Sequence, residues 1–137
     1  MNNNKKELLN YSKVFCMLPW LHLNVTPLGD VYPCCSSAYT DPLENVKNKP
    51  ISEIFNSAEM KTLRLKMLNG EQSSRCEYCY VHEKTSPWSF RHWANENFGK
   101  YFDDLVPTTQ IDGTVTHFKM KYFDVRFSNI CNMKCRT

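Results

Sequence analysis

At 137 residues, 42% apolar and 23% charged, the chain has material for one domain with a modest core, not for two large ones. Its net charge of +3, from 17 basic and 14 acidic side chains, is spread along the sequence rather than gathered into a stripe, which argues against nucleic acid as the main partner. The opening MNNNKKELLNYSK lacks an apolar stretch of signal-peptide length, and no later run approaches a membrane span, so the reading is cytoplasmic with no membrane partner.

Residues 1–13 read as a flexible tail or a short helical lead-in. In WLHLNVT, Leu21, Leu23 and Val25 alternate with His22, Asn24 and Thr26, which is strand periodicity. PLGD then turns the chain at Gly29, and VYPCC returns as a second short strand, bringing Cys34 and Cys35 back towards Cys16. A polar loop follows over 41–50. Helical spacing resumes with Ile51, Ile54 and Phe55, then Met60, Leu63 and Met67, with Ser57 as the cap of the second helix and Gly70 as its stop. Beyond CEYC, the aromatic stretch from Ser86 to Leu105 reads as irregular and partly helical; Asp112-Gly113 signals a turn, and KMKYFDVRFS reads as a strand.

Seven cysteines, an odd number, are poorly explained by disulfides in a reducing compartment, so metal or cluster ligation leads. Their spacing is C-x(12)-G-x(4)-CC from Cys16, then C-x(2)-C at Cys76 and Cys79. Two such pieces supply the four sulfurs that a tetrahedral metal or a cubane cluster needs, and the amides within the C-x(2)-C turn are expected to face the thiolates. Cys16, Cys34, Cys76 and Cys79 are the expected ligands. Cys35 reads as a bystander, because neighbours on a strand point to opposite faces. Spacing does not separate iron–sulfur from zinc. His22 and His82 read as surface or packing residues, Trp20, Trp88 and Trp93 as a shell that keeps the site dry, and Arg64, Arg75, Lys84 and Arg91 as solvated or surface-pairing charges. A thiol oxidoreductase built on Cys76 and Cys79 is the weaker alternative, since CEYC does not sit in a βαβ pattern.

FCMLPWLHLNVTPLGDVYPCC, ISEIFNSAEMKTLRLKMLNGE, CEYCYVHE and YFDVRFSNICNMKCRT, in that order, resemble the opening part of twitch-domain (SPASM-like) radical SAM proteins. The resemblance implies an α+β fold: a loop-rich cluster-binding module with a β-hairpin and short helices, followed by the first strand of a truncated (β/α) radical SAM barrel. The implied boundaries are a tail over 1–13, the auxiliary-cluster module over 14–100, a connection over 101–118 and the start of the radical SAM core over 119–137. Cys131 and Cys135 match the first two cysteines of the family's C-x(3)-C-x(2)-C motif, whose third would fall at position 138. By resemblance, the full enzyme holds an auxiliary [4Fe-4S] cluster, a second [4Fe-4S] cluster and S-adenosylmethionine. It takes electrons from a flavodoxin or ferredoxin and acts on a peptide or protein. With two motif cysteines and no barrel, the chain alone is expected to be inactive and to depend on a downstream half. The competing reading is a non-enzymatic interaction module stapled by a four-thiolate zinc site.

Overall fold

The computed structural model describes residues 3–128; Cys131 and Cys135 lie outside the described residues. The lead-in is helical, α1 (Asn3–Lys6) running into a π-helical turn over Glu7–Tyr11. It is docked rather than a flexible tail: Leu8 is buried, the Leu9 carbonyl accepts from Asn95 Nδ2 at 3.3 Å, and Lys5 pairs with Asp103. One apolar residue per turn of an otherwise polar segment gives little sequence signal.

A 3-10 turn over Leu18–Trp20 feeds β1 (His22–Val25). Gly29 takes φ 90° and donates its N–H to the Thr26 carbonyl at 2.9 Å, which turns the chain into antiparallel β2 (Asp30–Tyr32) as expected. The second strand is shorter than predicted. Pro33 ends it, and Cys34 and Cys35 sit on a turn closed by Ser37 N–H to the Cys34 carbonyl at 3.2 Å. The expected polar loop contains β3 (Glu44–Asn45), which pairs Asp30 with Asn45 and Val31 with Glu44. Two polar residues carry no periodicity, so this strand was invisible in the sequence.

The predicted helices follow as α2 (Ile51–Ile54) and α3 (Ala58–Leu68), with Ser57 Oγ accepting from the Met60 N–H at 3.4 Å. Then come α4 (Glu77–His82), α5 (Phe90–Phe98) and α6 (Phe102–Leu105). The Asp112-Gly113 turn lies inside a Thr109–Val115 bridge, and both Val115 backbone groups bond to the Asn56 side chain, at 3.0 and 3.1 Å. Finally β4 (Tyr122–Val125) runs parallel to β1, with His22 opposite Tyr122 and Val25 opposite Val125, giving the sheet order β3-β2-β1-β4. The hairpin thus supplies a partner on one edge of this strand. Its other edge has none among the described residues, and Phe123 and Phe127 are exposed.

One continuous core joins Phe15, Trp20, Leu21 and Leu23 to Phe55, Met60, Leu63 and Met67 of α2 and α3, and to Phe102 and Leu105 of α6. Arg64 lies inside it. This corrects its reading as a surface charge: the guanidinium is fully buried and donates to the carbonyls of Pro19 (2.9 Å), Phe55 (2.6 Å) and Gly113 (3.1 Å) and to Asn56 Oδ1 (2.9 Å). No helix among the described residues is long and apolar enough to cross a membrane.

Candidate metal centre

Three segments bring four thiols to one cavity. Cys16 precedes the 3-10 turn that enters β1, Cys34 follows the proline that ends β2, and Cys76 and Cys79 straddle the start of α4, three positions apart and so on one helical face. The cavity they line is otherwise walled by apolar side chains, among them Leu18, Leu63, Met67 and Phe90, with Arg75 and Arg91 also contributing. All five cysteines in the described residues are free thiols, Cys16 and Cys79 buried and the other three half-buried.

Burial dominates the electrostatics. It pushes Cys16 and Cys34 well above the ordinary thiol value, Cys76 up to about 12, and Cys79 upward. Mutual repulsion adds to this, since Cys16 is raised by Cys76, Cys34 and Cys79. Against burial stand hydrogen bonds to the sulfurs: Ser36 N–H to Cys34 Sγ at 3.2 Å, the Leu18 backbone at Cys16, and the Arg91 backbone at Cys79. Inside the C-x(2)-C turn the Glu77 N–H goes to the Ser74 carbonyl rather than to a sulfur. The Tyr80 hydroxyl lies beside Cys76, buried and without a hydrogen-bond partner of good geometry. As free thiols the four are held protonated. A cation that drew off their protons would gain four anionic ligands in a dry wall. Among the described residues no three His, Cys, Asp or Glu side chains are grouped closely enough to hold a single metal ion.

Cys35 does not line this cavity. It faces an outer groove with Tyr39, Tyr78 and His82. His82 stacks on Tyr78 in that groove. His22 is buried on the sheet, its Nδ1 3.0 Å from the Tyr122 carbonyl and its ring 4.4 Å from that of Tyr122; burial lowers it to about 4. Neither is placed at the cavity wall. The tryptophan shell is corrected. Trp20 is locked in the core with Nε1 donating to Thr109 Oγ1 at 2.7 Å, Trp88 is half exposed, and only Trp93 stands behind the cavity, stacked on Phe90 at 4.9 Å.

Arg91 is corrected too. It is 3% exposed and forms two hydrogen bonds to Glu83, at 2.9 and 2.7 Å, while Nη1 donates to the carbonyls of Ser12 and Phe15. Arg75 does pair near the surface, with Asp41 at 2.6 Å. Sequence reasoning missed Glu83 and Ser89. Ser89 Oγ donates to Glu83 Oε1 at 2.6 Å, and Ser89 with His92 forms a capping box on α5. The Ser-x-x-His spacing was the available signal, weak because Glu or Gln usually fills the last position.

Residues 16–80 match the SPASM family, described as an iron-sulfur cluster-binding domain. The match begins at the first of the four thiols and ends one residue beyond the last. No curated protein and no solved structure matches the chain.

Proposed function

We propose that the chain binds one [4Fe-4S] cluster through Cys16, Cys34, Cys76 and Cys79 and serves as the auxiliary-cluster portion of a radical SAM enzyme. The observation that carries the first part is the meeting of four thiols from three segments around one apolar cavity, within the stretch that matches an iron-sulfur domain. The donor set fits: four sulfurs, no competing carboxylate or imidazole at the wall, and hydrogen-bond donors already aimed at three of them. When bound, such a cluster supplies a one-electron acceptor or donor. The chain's residues do the rest: the cysteines release their protons and ligate, the Ser36, Leu18 and Arg91 amides stabilise sulfur charge, and Leu63, Met67 and Phe90 exclude water.

The second part rests on the resemblance of the stretch from Lys121 through Cys131 and Cys135 to the start of a radical SAM core. S-adenosylmethionine, a second cluster, a flavodoxin- or ferredoxin-type donor and a peptide or protein substrate belong to that fuller form.

Anaerobic reconstitution with iron and sulfide analysis tests the cluster. About four irons and four sulfides per chain are expected; a colourless protein with one zinc and no acid-labile sulfide overturns it. Serine at any of the four ligand positions should abolish or destabilise the cluster. Removing the iron should lower the melting temperature, because ligand bonds tie residue 16 to residue 79. For the wider reading, the chain alone should not cleave S-adenosylmethionine to 5'-deoxyadenosine under dithionite, and turnover by it alone would refute the auxiliary role.

A further inference from the structure

Arg91, which is buried, and Glu83, which is half-buried, form an ion pair beside the thiol cavity. The guanidinium is fixed on every side: Nε and Nη2 on Glu83, Nη1 on the carbonyls of Ser12 and Phe15. Arg91 lines the cavity, its backbone bonds to Cys79, and its positive charge favours the anionic forms of both Cys76 and Cys79. Glu83 acts on Cys79 with the opposite sign. Burial works against the Glu83 carboxylate, yet hydrogen bonds from Arg91 and Ser89 outweigh it and hold the group ionised, below the usual carboxylate range. His92 is the third titratable group on this network, 3.7 Å from Glu83 Oε1.

We propose that the Arg91–Glu83 pair sets the reduction potential of the iron–sulfur group held by the four thiolates, with Arg91 raising it and Glu83 limiting that rise. The inference rests on the cluster reading above. A cluster on four thiolates is anionic, and one-electron reduction adds a further negative charge in a poorly solvated cavity. A fixed cation at the wall stabilises the reduced form, and a fixed anion beside it opposes that. Both are positioning residues; neither touches the iron. Arg75 is the internal comparison: its charge also reaches Cys76, but its partner Asp41 is 75% exposed, so solvent screens the pair.

The test is a dithionite titration of the reconstituted chain, dithionite supplying the electron, with the potential read by optical and EPR signals. Arg91→Met should lower the potential and Glu83→Gln should raise it, each by a tenfold change in the reduction equilibrium, about 59 mV for one electron. Arg91→Lys keeps the charge and should return most of the wild-type value, even though lost hydrogen bonds lower its melting temperature. Arg75→Met should shift the potential less than Arg91→Met. Shifts of the same sign for Arg91→Met and Glu83→Gln, or lowered melting temperatures with unmoved potentials, reduce the pair to a structural peg and overturn the proposal. Should Arg91→Met hold no iron, Glu83→Gln decides alone, because the glutamine oxygen keeps the acceptor for Ser89 Oγ and Arg91 Nε and only the acceptor for Arg91 Nη2 is lost; no rise in its potential overturns the proposal. Failure of the wild-type chain to take up iron and sulfide removes the cluster reading and this inference together, and is seen before any potential is measured.

Discussion

Arg64 and the cysteine cavity are both buried polar centres against α3, and they are completed in different ways. Arg64 has no carboxylate partner among the described residues, yet three backbone carbonyls and Asn56 accept from its guanidinium, and the Phe55 ring lies 4.5 Å from it. Burial pulls it down to about 9, which still leaves it charged at neutral pH. The chain satisfies this centre by itself. Around the cavity the reverse holds: burial drives four thiols towards the neutral form, and the hydrogen bonds at the sulfurs stabilise a charge that the isolated thiols do not carry. That contrast is what the proposed cluster would complete, by supplying the charge that the hydrogen bonds stabilise.

The largest effect should come from breaking the complete centre. Arg64→Met leaves the Pro19, Phe55 and Gly113 carbonyls without their donor in the core, at roughly 1–3 kcal/mol each, so about 4 kcal/mol of stability should be lost after partial relaxation. Denaturant melts of the iron-loaded and iron-free chain should show the same loss. A loss confined to the loaded form would mean that the two centres are one.

His22 sharpens the comparison as a half-finished centre: Nδ1 is partnered and Nε2 is buried with no partner. Its folded value of about 4 lies below the ordinary 6.5, so the unfolded chain binds the proton more tightly. The contribution is therefore fully present above pH 6.5 and lost as the pH falls towards 4. It amounts to about 3 kcal/mol, and the acid limb of the stability curve should flatten in His22→Gln. An unchanged limb would place the titration elsewhere.

Gly113 tests how rigidly the complete centre is supported. It has φ 86°, its carbonyl accepts from Arg64, and a Cβ there would lie 2.4 Å from the Lys61 carbonyl. Gly113→Ala should cost about 2 kcal/mol. A neutral substitution would show that the turn shifts freely and that the Gly113 carbonyl matters little to Arg64.

How legible these two centres were differs for a physical reason. The hairpin, the paired helices and the thiol set were visible because periodicity, turn glycines and cysteine spacing are local signals: Gly29, Ser57 and Cys76-x(2)-Cys79 each specify a conformation or a ligand within a few residues. Arg64 and Arg91 were misread as solvated because their partners are carbonyls and a carboxylate brought in by the fold, at Pro19 and Gly113 for one and at Ser12, Phe15 and Glu83 for the other. Nothing within a helical turn of Arg64 marks it as buried except its place on the α3 face with Met60, Leu63 and Met67. The β4 pairing with β1 was missed likewise, since a parallel partner nearly a hundred residues away leaves no local trace.

The smallest effect should come from Cys35, and it is the test of how exclusive the cavity is. The sequence argument set Cys34 apart from Cys35 by strand alternation; the structure does so by a turn instead, with Cys34 Sγ accepting from Ser36 N–H and lining the cavity while Cys35 opens on the groove of Tyr39, Tyr78 and His82. Reaching the cavity from Cys35 would require unwinding that turn and breaking the Ser37 N–H bond to the Cys34 carbonyl. Cys35→Ser should therefore leave iron content, sulfide content and melting temperature at wild-type values, whereas Cys34→Ser should lose the cluster. Iron and sulfide analysis of both variants decides it. Retention in Cys34→Ser with loss in Cys35→Ser would mean that the turn rearranges on cluster binding and that Cys35 is the ligand.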